Sequence, residues 1–97
     1  MNDAIFSWDE EKNNANVKKH GISFNEAASV FDDGNALYMS DERHSKEEER
    51  FIIIGMSEKL NILMVCHCYR AEGSLIRLIS ARKANRLETA QYKGGRV

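Results

Sequence analysis

Three apolar runs joined by two short turns constrain this 97-residue chain more than any other feature. Arg50 to Ser57, Asn61 to Arg70 and Leu75 to Arg82 are rich in the β-branched and aliphatic residues that suit a strand. Only the residues around Glu58 to Leu60 separate the first two. Ala71-Glu72-Gly73-Ser74 separates the second pair. Links this short return the chain beside itself, so the runs predict an antiparallel meander. The middle run is almost continuously apolar from Ile62 to Cys68, which predicts cover on both of its faces.

The flanking stretches carry helix signals. Ile5 to Trp8 reads as a short strand or apolar lead-in, and Ser7 and Glu10 have capping-box spacing with Asp9 as an alternative cap. A helix is then expected from about Asp9 to His20, stopped by Gly21. It offers little to a core beyond Ala15 and Val17, while Lys12, Asn16, Lys19 and His20 gather on one arc. A second capping box, Ser23 to Glu26, opens a core helix from Phe24 to Phe31 on the i, i+3, i+4, i+7 pattern. Asp32 to Asn35 reads as a turn and Ala36 to Ser40 as a fourth strand. Asp41 to Glu49 is a charged loop in which His44, Glu48 and Glu49 are polar groups able to fold over a groove. Residues 84–92 form a terminal helix. The expected architecture is α+β: two N-terminal helices, a four-stranded antiparallel sheet and a C-terminal helix, as one domain over residues 1–97.

Composition excludes several classes. No apolar run reaches membrane-spanning length and no signal peptide is evident, so a cytoplasmic protein is expected. Cys66 and Cys68 share one strand face with His67 on the other. That pattern predicts buried reduced thiols rather than a metal site. Net charge is only −1, but residues 1–69 carry −6 and residues 70–97 carry +5. Such asymmetry points the C-terminal third at an anionic partner.

Arg77 sits inside an apolar strand, where a guanidinium needs a carboxylate, a polar groove or a phosphate ligand. Regular alternation sends Arg77 and Arg82 to opposite faces and lets Arg77 share a face with Lys83. Guanidinium groups match phosphate, and preorganised cations stabilise a phosphorane-like transition state more than its ground state. RNA brings its own nucleophile, the 2′-hydroxyl, so cleavage needs orientation, charge stabilisation and a proton acceptor such as His20 or His67. For His67 a packed strand histidine competes with that role. For Arg82 and Lys83 the competitor is a salt bridge to the terminal helix or to the acidic half.

Trp8-Asp9, Lys12, Asn16, Lys19-His20-Gly21, Phe24, Glu26-Ala27 and Val30-Phe31 together resemble the opening of the BrnT family of bacterial toxins. The likeness continues through His44-Ser45, Glu48-Glu49-Arg50, Ile54 to Ser57, Arg77 and Ile79 to Ala84, spanning about residues 6–92. It implies a type II toxin with a RelE-like α+β fold that cleaves RNA without a cofactor or metal. It also implies a BrnA-like antitoxin, a ribbon-helix-helix protein that carries the complex to operator DNA. The family's motif positions fall on Lys12, Asn16, Lys19, His20, Glu49, Arg50, Arg77, Ser80, Arg82 and Lys83. On this reading Arg77 and Arg82 hold the scissile phosphate, supported by Lys83, and His20 moves the proton. Lys12, Asn16, Lys19, Glu49, Arg50 and Ser80 contact RNA. The alternative is a non-catalytic module that binds a DNA-binding partner and tunes its repression.

Overall fold

The computed structural model describes residues 4–44 and 48–94, with the side chain of His44 excepted. Its elements run β1 (Ile5–Ser7), α1 (Glu10–His20), α2 (Phe24–Ser29), β2 (Leu37–Ser40), β3 (Phe51–Met56), β4 (Ile62–Arg70), β5 (Leu75–Lys83) and α3 (Arg86–Gly94). A 3-10 turn, Val30–Asp32, continues α2 and shortens the helix expected to reach Phe31.

The expected meander is present, but the sheet is larger and mixed. Its order is β1-β5-β4-β3-β2, and β1 pairs with β5 in parallel. The four-stranded antiparallel expectation is therefore corrected to five strands. Ile5–Ser7 gains its strand character by pairing with residues seventy positions away, Leu75 to Arg77. Three residues contain no local signal for such a distant partner.

Caps fix the helices. The Asp9 carboxylate accepts from the Glu11 and Lys12 amides at 2.8 and 3.2 Å, so Asp9 rather than Ser7 opens α1. Gly21 closes it at φ 73°, in the left-handed region. Ser23 accepts from the Glu26 amide at 3.1 Å. The reciprocal half of that expected capping box is absent, because Glu26 turns inward. Its carboxylate, buried at 4% exposure, accepts from Ser57 Oγ at 2.7 Å and Asn61 Nδ2 at 2.8 Å, tying α2 to the β3–β4 turn.

Side chains opposite one another across a ladder share a face, so the register sorts the sheet. One face carries Phe6, Ile76, Leu78, Ala81, Leu63, Val65 and Ile53, packed against Ile22, Phe24, Ala27, Val30 and Phe31. His67 lies on this face, fully buried, its ring 4.8 Å edge-on to Phe31. Gly55 admits the 3-10 turn here: a Cβ at that position would stand 2.9 Å from Val30 Cγ1. The opposite face carries Ile52, Ile54, Met64, Cys66, Cys68, Arg77 and Arg82, and α3 crosses one end of it.

Candidate functional site

Strand β5 governs where the cations go. Its ladder with β4 slips between Cys66 and His67: His67 pairs with Leu78 while Cys66 pairs with Ser80. Ile79 is thus an extra residue, a β-bulge, and the alternation of side chains reverses across it. Leu78 and Ala81, three apart, both reach the helix-packed core. Arg77, Ser80 and Arg82 consequently share the other face, where their partners are Cys68, Cys66 and Met64. Lys83, opposite Leu63, leaves from the core side. Both parity expectations are corrected: Arg77 and Arg82 face the same way, and Lys83 does not join Arg77.

Sharing a face does not free both guanidiniums. Arg82 makes a fork with Glu88, Nη1 to Oε1 and Nη2 to Oε2, each at 2.8 Å, and donates to its own strand end at Lys83 O. Glu88 also accepts from the Asn85 amide, while Asn85 Oδ1 accepts from the Glu88 amide, a complete capping box. The Arg82 fork holds the Glu88 carboxyl below its ordinary range, and Glu88 raises Arg82 in turn. In this structure Arg82 fastens α3 to β5, the competing salt bridge expected from the sequence.

Asn16 is also engaged within the fold. It is the buried residue of α1, at 7% exposure. Its amide donates to Ile22 O and Ala81 O, each at 2.8 Å, and its oxygen accepts from the Ala81 amide at 3.1 Å. Beyond Arg77 strand β5 has no further pairing with β1, and the Asn16 side chain serves Ala81 as a strand partner would.

The remaining α1 residues do converge. Lys12, Ala15, Asn16, Lys19 and His20 line one side of an open pocket of about 290 Å³, and Ile79 and Ser80 line the other. The bulge therefore supplies the pocket's second wall. Lys12 and Lys19 are exposed and His20 half-buried. Glu49 and Arg50 stand apart from it, at the start of β3, two strands away.

Arg50 has its own place. Cys68 stands opposite Arg77 and Arg77 beside Ser7, and continuing the β2–β3 and β3–β4 registers by one residue sets Asp41 opposite Arg50 and Arg50 opposite Cys68, one polar row on the face away from the helices. Strand spacing puts the Arg50 and Arg77 backbones about 10 Å apart, with Cys68 between them. Ser7 Oγ is a buried side-chain oxygen without a hydrogen-bond partner, next to Arg77. Sequence reasoning treated Ser7 as a helix cap and missed this position, because only the parallel pairing reveals it.

The other titratable candidates fall away from the pocket. His67 Nδ1 donates to Val65 O and Nε2 pairs with Tyr69 Oη, each at 3.3 Å, and burial lowers its pKa, so the packed-histidine reading holds. The Cys66 thiol donates to Asp41 Oδ2 at 3.7 Å and is pushed up to about 11 by burial and by Asp41. Both cysteines are buried and unbridged. Among the described residues no cluster of three or more His, Cys, Asp or Glu side chains is placed to hold a metal ion. No helix among them is long and apolar enough to cross a membrane. Of the groups expected to fold over a groove, the His44 side chain lies outside the described residues, and Glu48 pairs with Arg70 at 3.3 Å.

A small α+β protein with a mixed five-stranded sheet and a cation-lined pocket at the edge of its bulged strand is the class these features define. The family model described as "Ribonuclease toxin, BrnT, of type II toxin-antitoxin system" matches residues 8–88, and the chain belongs to that family. Among solved structures it is similar to the Brucella abortus ribonuclease toxin BrnT, at 25% identity and a TM-score of 0.65. The match covers 86% of this chain and 99% of that one. No curated protein matches.

Proposed function

We propose that residues 1–97 form one ribonuclease toxin domain that cleaves RNA by 2′-hydroxyl attack, without a metal, in a RelE-like manner. Cleavage would arrest translation and growth until a DNA-binding antitoxin of the ribbon-helix-helix class neutralises the toxin. The observation that carries this reading is the convergence of Lys12, Lys19, His20 and Ser80 on one open pocket.

The chemistry fits those side chains. Lys12 and Lys19 are flexible point charges that attract the backbone phosphates and offset the charge that builds up on the non-bridging oxygens. His20 places an imidazole at the pocket, the side chain best suited to carry the proton of the 2′-hydroxyl. Ser80 offers a hydroxyl on the opposite wall, and Arg77, on the same strand face as Ser80, extends the positive surface toward Arg50. Arg82 and Asn16 act through the fold: one anchors α3 and the other seats α1 against β5.

The test is cleavage of a defined RNA in EDTA by wild-type, His20→Ala and Arg77→Ala protein, each checked for an unchanged melting profile. Loss of a positioned general acid–base group should lower the rate by about 10²–10⁴-fold. Wild-type protein that leaves RNA intact yet binds its antitoxin would overturn catalysis and favour the non-catalytic partner of a DNA-binding protein. Cleavage by His20→Ala at the wild-type rate would remove the proton-transfer assignment alone.

A further inference from the structure

We propose that the free edge of β2, with the groove between β2 and α3, docks an extended, Lys/Arg-flanked segment of the antitoxin. This rests on the toxin reading above and names the surface that the partner would use.

Among the described residues β2 ends the sheet and pairs only with β3. The Asp41 amide donates to Arg50 O at 2.8 Å, which marks Asp41 and Arg50 as a hydrogen-bonded pair of that ladder. Antiparallel ladders alternate, so Tyr38 and Ser40 direct their N–H and C=O groups away from β3, toward solvent. Such an edge templates a further strand. Tyr38 is 59% exposed and Met39 38%. Below the edge, Leu37 and Met39 meet Ala90, Gln91 and Gly94 of α3 in an apolar groove of about 580 Å³. Backbone pairing and a groove for alternate side chains are what an extended peptide requires.

Charge selects the occupant. Among the described residues, 32–44 and 48–49 contain six carboxylates against Arg43, and β2 has carboxylates before and after it. Pairing with a second copy would bring like frames together in either strand direction, and RNA would be repelled. A segment with apolar alternate residues and basic flanks meets both the groove and its frame. The cation-lined pocket lies on β5, at the other side of the sheet order, so substrate and this segment use separate surfaces.

Titration calorimetry with the purified full-length antitoxin encoded beside this gene tests the idea. Tyr38→Pro removes an outward-facing amide and no bond of the β2–β3 ladder. Ala90→Arg fills the groove and adds repulsion. Each should weaken antitoxin binding by roughly tenfold or more while RNA cleavage stays at the wild-type rate. Glu42→Lys should weaken it most at low salt. Should Tyr38→Pro fail to fold, Ala90→Arg still decides the matter. Wild-type affinity in the folded variants would overturn the docking surface and leave the toxin reading standing. A wild-type chain that binds no antitoxin overturns both. A wild-type dimer that Tyr38→Pro converts to monomer would assign the edge to a second copy instead.

Discussion

Replacing Asn16 by alanine separates a fold-holding role from an RNA-contacting one. The substitution deletes three hydrogen bonds and strands the Ile22 carbonyl and both backbone groups of Ala81. Ile22 is 2% exposed and Ala81 1%, so the main chain there has little access to water. Each orphaned buried group costs about 1–3 kcal/mol. Because Asn16 also lines the open pocket, water can enter the vacated space, which favours the lower figure and a total near 3 kcal/mol. That is a large share of the roughly 5–15 kcal/mol available to a domain of this size. With a urea dependence of about 1–3 kcal/mol per molar, the midpoint should fall by about 1–3 M. Asn16→Asp should do no better, since it keeps the acceptor for the Ala81 amide but sets a carboxylate against two carbonyls. Lys12→Ala and Lys19→Ala serve as controls, being exposed, and should stay within about 0.5 kcal/mol of wild-type. If Asn16→Ala keeps the wild-type urea midpoint and loses activity, the reasoning is refuted and Asn16 is an RNA contact.

Two further outcomes follow from the same geometry. Arg82→Ala and Glu88→Gln should each lower stability modestly, and a double-mutant cycle should return about 1 kcal/mol of coupling, discounted because Arg82 is 34% exposed. Glu88 has a depressed pKa in the fold, so that coupling is present above the ordinary carboxylate range near 4.5 and lost as acid titrates the folded pair; additive single effects at pH 7 would show the fork to be idle. His67 has its pKa lowered from 6.5 by burial. Below pH 6.5 the unfolded chain binds a proton that the folded chain refuses, so urea midpoints should decline from pH 7 toward pH 5. His67→Phe should flatten that slope, and an equally steep slope in the variant would exclude His67 as its source.

The local parts of the architecture were readable from the residues because their causes are local. Glu58 to Leu60 and Ala71 to Ser74 are too short to do anything but reverse the chain, and Gly21 and Ser23 mark helix ends through their own backbone preferences. What escaped notice depends on distant partners. The parallel seat of Ile5–Ser7 beside Leu75 to Arg77 leaves no periodicity in three residues. The slip at Ile79 is invisible in a run of aliphatic residues that alternates acceptably in either phase. The Lys12, Asn16, Lys19 and His20 arc was legible as one helix face, since helical spacing alone groups them. Asn16's inward reach was not, because it depends on the unpaired stretch of β5 that the arc happens to cover. Arg82's attachment to Glu88 was legible only as one of two competing readings, six residues apart in the chain.

The extra residue at Ile79 makes β5 two half-strands in opposite phase, and this bears on how such a site can be copied or lost. Straightening the strand with Ile79 retained would send Arg77 and Arg82 to opposite faces: if Ala81 stayed in the core, Leu78 would turn outward and the Arg77 guanidinium would be driven among the aromatic side chains beneath the sheet. Transplanting the cationic surface to another scaffold therefore requires the kink as well as the charged residues. Two chains aligned through this strand without a gap at the bulge would equate residues that point in opposite directions.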